Sequence, residues 1–304
     1  MNAEADFDAE AGMVSTRPAA RRDGGVLTCA LAKQLADLAV SALIEEAMLT
    51  PKPGLVDLRS CGAHKDMNWT LMCHSAWSLH ACFYEMALAA QEVTEPFTLR
   101  ERIGSIGRDG ESAMMRATGG INTHRGAIWA LGLLVAAVAQ DMIAIAPDSV
   151  AARAGALARM PDRFAPCGAD SKGGQACRKY RVGGARAQAQ AGFPHVTGIA
   201  LPQLLRSRQE GAGESAARVD ALIAIIAELD DTCVLSRGGK RALRSMQTRA
   251  RKVLDAGGIA RNGGKQQLRL LEQDLLARQV SPGGAADLLA ATLFLDRLQW
   301  LEAA

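Results

Sequence analysis

Aromatic residues are scarce: Phe, Trp and Tyr together make up 4% of the 304 residues. Strands favour aromatic and β-branched side chains, and no strand-like alternation of useful length is present, so an all-β sandwich is excluded. Charge of one sign is also lacking. The formal net charge is +3 at pH 7, too small for a nucleic-acid surface without a clustered patch. The seven cysteines, at positions 29, 61, 73, 82, 167, 177 and 233, include no C-x-x-C pair. Such an odd, widely spaced set makes neither a zinc site nor a disulfide framework, and points to a reducing cytoplasm. No apolar run is long enough for a bilayer. The stretch Ala127 to Ala139 has 13 residues before Gln140 and Asp141, against about 20 for a spanning helix. Arg21-Arg22 followed by Val26-Leu27 begins like a twin-arginine signal, but Lys33 and Asp37 interrupt its apolar core.

What is present is apolar and small. Hydrophobic residues make 49% of the chain and roughly one residue in five is alanine, which suits closely packed helices. Apolar periodicity predicts helices at about 29–49, 69–91, 98–117, 124–140, 148–159, 184–191, 197–209, 214–229, 240–256, 265–279 and 285–300. Prolines such as Pro51, Pro161, Pro194 and Pro282 fall mostly between them. The stretches 124–140 and 214–229 are apolar nearly all round and belong at the centre. The expectation is one compact, all-α, multi-helix domain over 26–304, preceded by a flexible tail over 1–25. The stretch 161–184, rich in Gly, Lys and Arg, is longer than an ordinary connection and is a candidate lid.

Three Gly-Gly loops each precede a predicted helix: Thr118-Gly119-Gly120-Ile121-Asn122-Thr123-His124-Arg125, Arg237-Gly238-Gly239-Lys240 and Ser281-Pro282-Gly283-Gly284. Glycine admits backbone angles that aim successive N–H groups at one point, and a helix N-terminus adds partial positive charge, so such loops hold phosphate oxygens. A turn with a helix cap is the plainer account of any one of them. The G-x-x-x-x-G-K-[ST] pattern is absent, which excludes a P-loop.

Acids form the second signal. On a helical wheel of 29–49, Glu46 falls inside the apolar arc made by Leu35, Leu38, Ala39, Ala42 and Leu43, and Asp287 shares a face with Ala291, Phe294 and Leu298. A carboxylate on a core face is costly unless it meets a cation, a metal or a substrate. Asp230 and Asp231 follow the apolar helix 214–229, where acids oppose the helix dipole. Adjacent carboxylates also suit Mg²⁺, which takes oxygen ligands. Ala63-His64-Lys65-Asp66-Met67 gathers a base, a cation and an acid ahead of a helix that Asp66 is placed to cap. Thr50-Pro51-Lys52-Pro53-Gly54 is a stiff loop presenting one lysine six residues after Glu46; a helix stop with an exposed lysine is the alternative.

Glu46–Asp57 (EAMLTPKPGLVD), Gly62–Met67 (GAHKDM), Thr118–Gly132 (TGGINTHRGAIWALG), Ala191–Pro194 (AGFP), Asp230–Gly239 (DDTCVLSRGG) and Ser281–Thr292 (SPGGAADLLAAT) occur in the order seen in the triphosphoribosyl-dephospho-CoA synthase family. The chain resembles that family from about residue 29 onward. DTCVLSRGG and THRGAIWALGLL resemble its malonate decarboxylase branch more than its citrate lyase branch. Asn68, Cys233 and Ser236 stand where citrate-lyase-type members often have Asp, Asn and His, which puts a chemical role for these three in doubt.

The resemblance implies an all-helical, Mg²⁺-dependent enzyme that moves the triphosphoribosyl group of ATP onto 3′-dephospho-CoA and releases adenine. Its product would pass to a transferase acting on an acyl carrier protein, with no nucleic-acid or membrane partner; a homo-oligomer is left open. Under that resemblance, phosphates fall to Lys52, Arg125, Arg237 and the glycine loops (Gly119, Gly120, Gly238, Gly239, Ser281, Gly283, Gly284). His64, Asn122, Thr123, His124 and Asp287 join them around the substrates. Asp230 and Asp231 bind Mg²⁺ with help from Asp66 or Glu111, and Glu46 or Asp66 is the base or the stabiliser of positive charge at the ribose.

Overall fold

The protein is described by a computed structural model covering residues 21–165 and 171–298, with side chains from residue 28. Among these residues there are thirteen α-helices, one π-helical turn and no strand. In chain order they are α1 (Arg21–Met48), α2 (Trp69–Ser78), α3 (His80–Glu92), α4 (Pro96–Ala117), α5 (Arg125–Gln140), α6 (Pro147–Arg159), α7 (Lys172–Tyr180) and α8 (Gly184–Gln190). The π turn Val196–Ala200 leads into α9 (Leu201–Gln209), α10 (Glu214–Glu228), α11 (Thr232–Asp255), α12 (Asn262–Ala277) and α13 (Gly283–Leu298). Local chemistry starts several of them. Pro96 and Pro147 sit in first turns, where a missing N–H costs nothing, and the Glu95 carboxylate accepts from Phe97 N and Thr98 N.

The two helices expected at the centre are there. α5 is buried continuously from Leu131 to Ala139 and packs against α1, α3, α4, α6, α8 and α13. α10 is buried from Val219 to Ala227 and packs against α9, α11 and α13. α13 therefore joins the two halves of the core, and its N-terminus lies beside those of α5 and α11. The small residues explain the closeness: a methyl at Gly132 would collide with Met86, and one at Gly110 with Cys82.

Several boundaries differ from expectation. The predicted helix 69–91 breaks at Leu79, which ends α2 and begins α3, and Asn68 rather than Asp66 caps α2 through Leu71 N. α1 extends back to Arg21, into the stretch expected to be tail; residues 1–20 lie outside the described residues. The stretch 161–184 is not one long loop, because α7 forms within it and packs on α11; residues 166–170 lie outside the described residues. α11 starts at Thr232, earlier than expected, and turns a corner at Gly239 (φ +66°, ψ −171°), a conformation that disfavours any side chain. No helix among the described residues is long and apolar enough to cross a membrane.

Candidate active site

Five of the six motif segments meet where α1 ends and α5, α11 and α13 begin; the sixth, Ala191–Pro194, packs on α6 through Gly192. Lys52 is 2% exposed, so it is not a surface lysine. Its ammonium binds Glu46 Oε1 at 2.6 Å and also the Glu46 carbonyl, and Glu46 is itself 3% exposed. Asp57, unassigned by sequence reasoning, builds the loop that carries Lys52 inward. Its carboxylate accepts from Lys52 N (3.0 Å), Arg59 N (2.7 Å), Ser60 N (2.9 Å) and the Thr50 hydroxyl (2.9 Å). The sequence signal was the Asp closing the Pro-Lys-Pro-Gly segment, a residue type that commonly gathers the amides of a turn.

The two buried aspartates act across helices. Asp231 is the N-cap of α11, accepting from Cys233 N at 2.7 Å and Val234 N at 3.3 Å. Its second oxygen accepts from Ala285 N at 3.0 Å, and Gly284 N also points at it, so one carboxylate caps α13 as well. Sequence reasoning placed Asp231 unfavourably at the end of α10; in three dimensions it sits at two helix N-termini, where the dipole welcomes it. Asp287, on α13, faces the first turn of α5, where Ala127 N favours its carboxylate. A methyl at Gly126 would overlap that carboxylate, which accounts for the glycine. Burial, then the charges of Glu46 and Asp231, hold the Asp287 carboxyl well above its ordinary value; burial also raises Asp231, against its amide donors. Asp287 and Cys233 are hemmed in by protein yet only half-buried, the placement of residues on a cleft floor.

His124 is 2% exposed and follows Thr123 into α5. Its Nδ1 lies 2.9 Å from Ser75 Oγ, which is 2.6 Å from Thr123 Oγ1, whereas Nε2 has no hydrogen-bond partner. Burial and the charge of Lys52 push the imidazole down to about 3, so it stays neutral. Ser281, 1% exposed, likewise has an unpartnered hydroxyl. Nothing local in the sequence marks Ser75, whose role arises only when α2 packs beside the start of α5.

The glycine loops divide. Gly119 N and Gly120 N close the C-terminus of α4 by bonding to Arg116 O and Met115 O, so their amides are engaged within the fold rather than offered to phosphate. Gly283 and Gly284 pack against Cys233 and Asp231. At the third loop Arg237 and Lys240 are exposed at the corner of α11, and Gly239 lies against the Tyr180 hydroxyl of α7. His64 belongs to this side of the cleft: burial, then the charge of Arg237, lowers its pKa against the pull of Asp66. Asp66 is 61% exposed and 3.8 Å from His64, at the rim rather than the floor. Asn122 Oδ1 accepts from Arg125 N at 3.3 Å, and Arg125 itself is ion-paired with Glu111.

The expected Mg²⁺ trio is not assembled. Glu111 is held by Arg125, Asp230 is exposed and Asp231 spends its oxygens on amides. Among the described residues no group of three His, Cys, Asp or Glu side chains is placed to hold a metal. The cysteines among them are all free thiols. A cavity of about 260 Å³ beside the π turn, lined among others by Gln203, Arg206, Glu228 and Arg251, contains none of the motif residues.

A family model, CitG, described as ATP:dephospho-CoA triphosphoribosyl transferase, matches residues 32–304. The chain belongs to this family. A relative from Stutzerimonas stutzeri (strain A1501) is 58% identical over 268 residues, 88% of this chain and 92% of its own length; it is named a probable 2-(5''-triphosphoribosyl)-3'-dephosphocoenzyme-A synthase. Relatives of the same name from Pseudomonas syringae pv. syringae (strain B728a) and Azotobacter vinelandii (strain DJ / ATCC BAA-1303) are 56% and 55% identical, each over 88% of this chain and 92% of their own length. No solved structure matches the chain. The family match spans every segment that meets at the cleft.

Proposed function

We infer that the chain transfers the 5-triphosphoribosyl group of ATP to the 2′-hydroxyl of 3′-dephospho-CoA, releasing adenine and giving 2′-(5″-triphosphoribosyl)-3′-dephospho-CoA. The observation that carries this reading is the coincidence of the family match with a cleft whose floor holds carboxylates in excess of cations. Breaking the N-glycosidic bond develops positive charge at the ribose C1, which a nearby carboxylate stabilises as in glycoside hydrolysis. Glu46 supplies that carboxylate, and Glu46 and Asp287 carry the proton transfers. Arg237 and Lys240 at the corner of α11, with His64 beside them, take the triphosphate, and Arg125 takes a phosphate at the opposite helix start. Anchoring the polyphosphate away from C1 lets remote binding energy orient the reacting carbon. Mg²⁺, which the family resemblance implies, would be held chiefly by the nucleotide phosphates and would offset their charge, since no three-ligand group is assembled among the described residues.

The segments DTCVLSRGG and THRGAIWALGLL support the malonate decarboxylase branch, in which the product is the precursor of an acyl-carrier-protein prosthetic group and a separate transferase attaches it. The workplace is the cytoplasm. Incubation with ATP, Mg²⁺ and dephospho-CoA, followed by mass spectrometry, tests the reaction. Adenine and the triphosphoribosyl product should appear together and only when dephospho-CoA is present. Adenine without dephospho-CoA would mean a hydrolase, and none at all a binding or scaffold subunit.

A further inference from the structure

Three carboxylates share the cleft floor with one ammonium, and their hydrogen-bond partners are unequal. Glu46 is ion-paired with Lys52. Asp231 receives backbone N–H groups from Cys233, Val234, Gly284 and Ala285. Asp287 receives one, from Ala127, and makes no ion pair among the described residues. The charges that act on it are Glu46 from α1 and Asp231 from α11; Lys52 pairs with Glu46 and faces His124, and Arg237 acts together with Asp287 on Cys233. A site with too few positive charges keeps its proton on the carboxyl with fewest donors, here Asp287. Its partial exposure leaves it open to a ligand. A separate observation marks the same region as shaped for a polar ligand: His124 Nε2 and Ser281 Oγ are buried there without partners.

We propose that Asp287 is the general acid of the transfer, protonating adenine as it departs, while Glu46 receives the proton of the incoming hydroxyl. The proposal rests on the transferase reading above. The C1–N9 bond of ATP breaks with its electron pair going to the base, and a ring nitrogen of adenine takes the Asp287 proton. The 2′-oxygen of dephospho-CoA bonds to C1 and releases its proton to the Glu46 carboxylate. One proton passed from Glu46 to Asp287 restores the starting state, so ATP and dephospho-CoA become product and neutral adenine with nothing left over. A neutral carboxylic acid held in a crowded, low-dielectric site is the form required to donate.

The leaving group tests this. ATP needs a proton on its base, whereas ATP methylated at N7 of adenine carries a cationic base that departs neutral without one. Asp287→Asn should slow transfer from ATP by about 10²–10⁴-fold and slow transfer from the N7-methylated nucleotide by less than about tenfold. Glu46→Gln should slow both nucleotides alike, because its task lies on the hydroxyl side. Gly126→Ala, which displaces the Asp287 carboxyl without removing it, should show the same selectivity for the methylated nucleotide in weaker form. Circular dichroism confirms that each variant is folded, and Gly126→Ala carries the test if Asp287→Asn is not. Equal slowing of both nucleotides by Asp287→Asn, or unchanged turnover of ATP, would overturn the acid role. A wild-type enzyme that releases no adenine in the presence of dephospho-CoA would instead overturn the transferase reading itself.

Discussion

Glu45 and Glu46 are neighbours at the end of α1 and belong to opposite kinds of site. Glu45 joins a network in which three carboxylates, Glu45, Glu214 and Asp296, meet three guanidiniums, Arg208, Arg218 and Arg297. Arg208 reaches Glu214 at 2.8 Å and Asp296 at 2.7 Å, tying the end of α9 to α10 and α13. Glu46 faces the other way, into a cleft where three carboxylates meet one lysine. Matched charge is what a fold needs to hold itself together. Mismatched charge withdraws stability and persists where chemistry uses it. The difference is sharpest because one turn of one helix supplies both acids.

If the contrast is right, the largest effect should come from breaking the single match in the cleft. Lys52→Met leaves Glu46 buried without its cation. It should cost about 3–5 kcal/mol of stability, measured by urea unfolding, and abolish adenine release. Lys52→Met combined with Glu46→Leu should regain much of the stability and none of the activity. A Lys52→Met enzyme as stable as the parent would remove the pair from the core of the account.

The matched network should respond in the reverse sense. Arg208→Ala, allowing for solvent screening of a part-exposed group, should cost about 1–2 kcal/mol at pH 7 while kcat per folded molecule stays unchanged. The pH dependence has a definite sign. The Arg208 hydrogen bonds, against the cost of burial, hold Glu214 down to about 2, below its unfolded value of about 4.5. The contribution is therefore present above pH 4.5 and is lost as pH falls toward 2, so wild type and variant should converge in acid. A gap that widened on acidification would contradict the assignment.

These two regions were unequally legible in the sequence. The helices, the central place of α5 and α10, and the acid on the apolar arc of α1 follow from periodicity, which is local. The six-residue spacing put Lys52 near Glu46, but its burial was not legible, because a lysine between prolines carries no local sign of it; Asp57 five residues on turns it inward. Asp231 read as misplaced because the amide it caps, Ala285 N, lies 54 residues away. The glycine loops were visible as motifs, but which amides remain free depends on partners such as the Met115 carbonyl and the Asp231 carboxylate. Ser75 was invisible for the same reason. Charge matching is a property of the assembled fold: periodicity sets Glu46 apart from Glu45, but not the partners, Lys52 and Arg218, that each one meets.

The central claim is that the cleft holds its surplus carboxyl for chemistry at the expense of stability. A carboxyl whose folded pKa is raised, as burial and the charges of Glu46 and Asp231 raise that of Asp287, withdraws stability as pH climbs from its unfolded value near 4 through the folded one. Asparagine keeps an acceptor for Ala127 N and cannot ionise. The most direct measurement is the melting temperature and the adenine-release rate of Asp287→Asn, taken together at pH 7 and at pH 5. The account predicts a Tm at least equal to wild type, with the advantage greater at pH 7, alongside loss of adenine release from ATP. A variant that melts below the parent at both pH values, or that releases adenine at the parent rate, would contradict it.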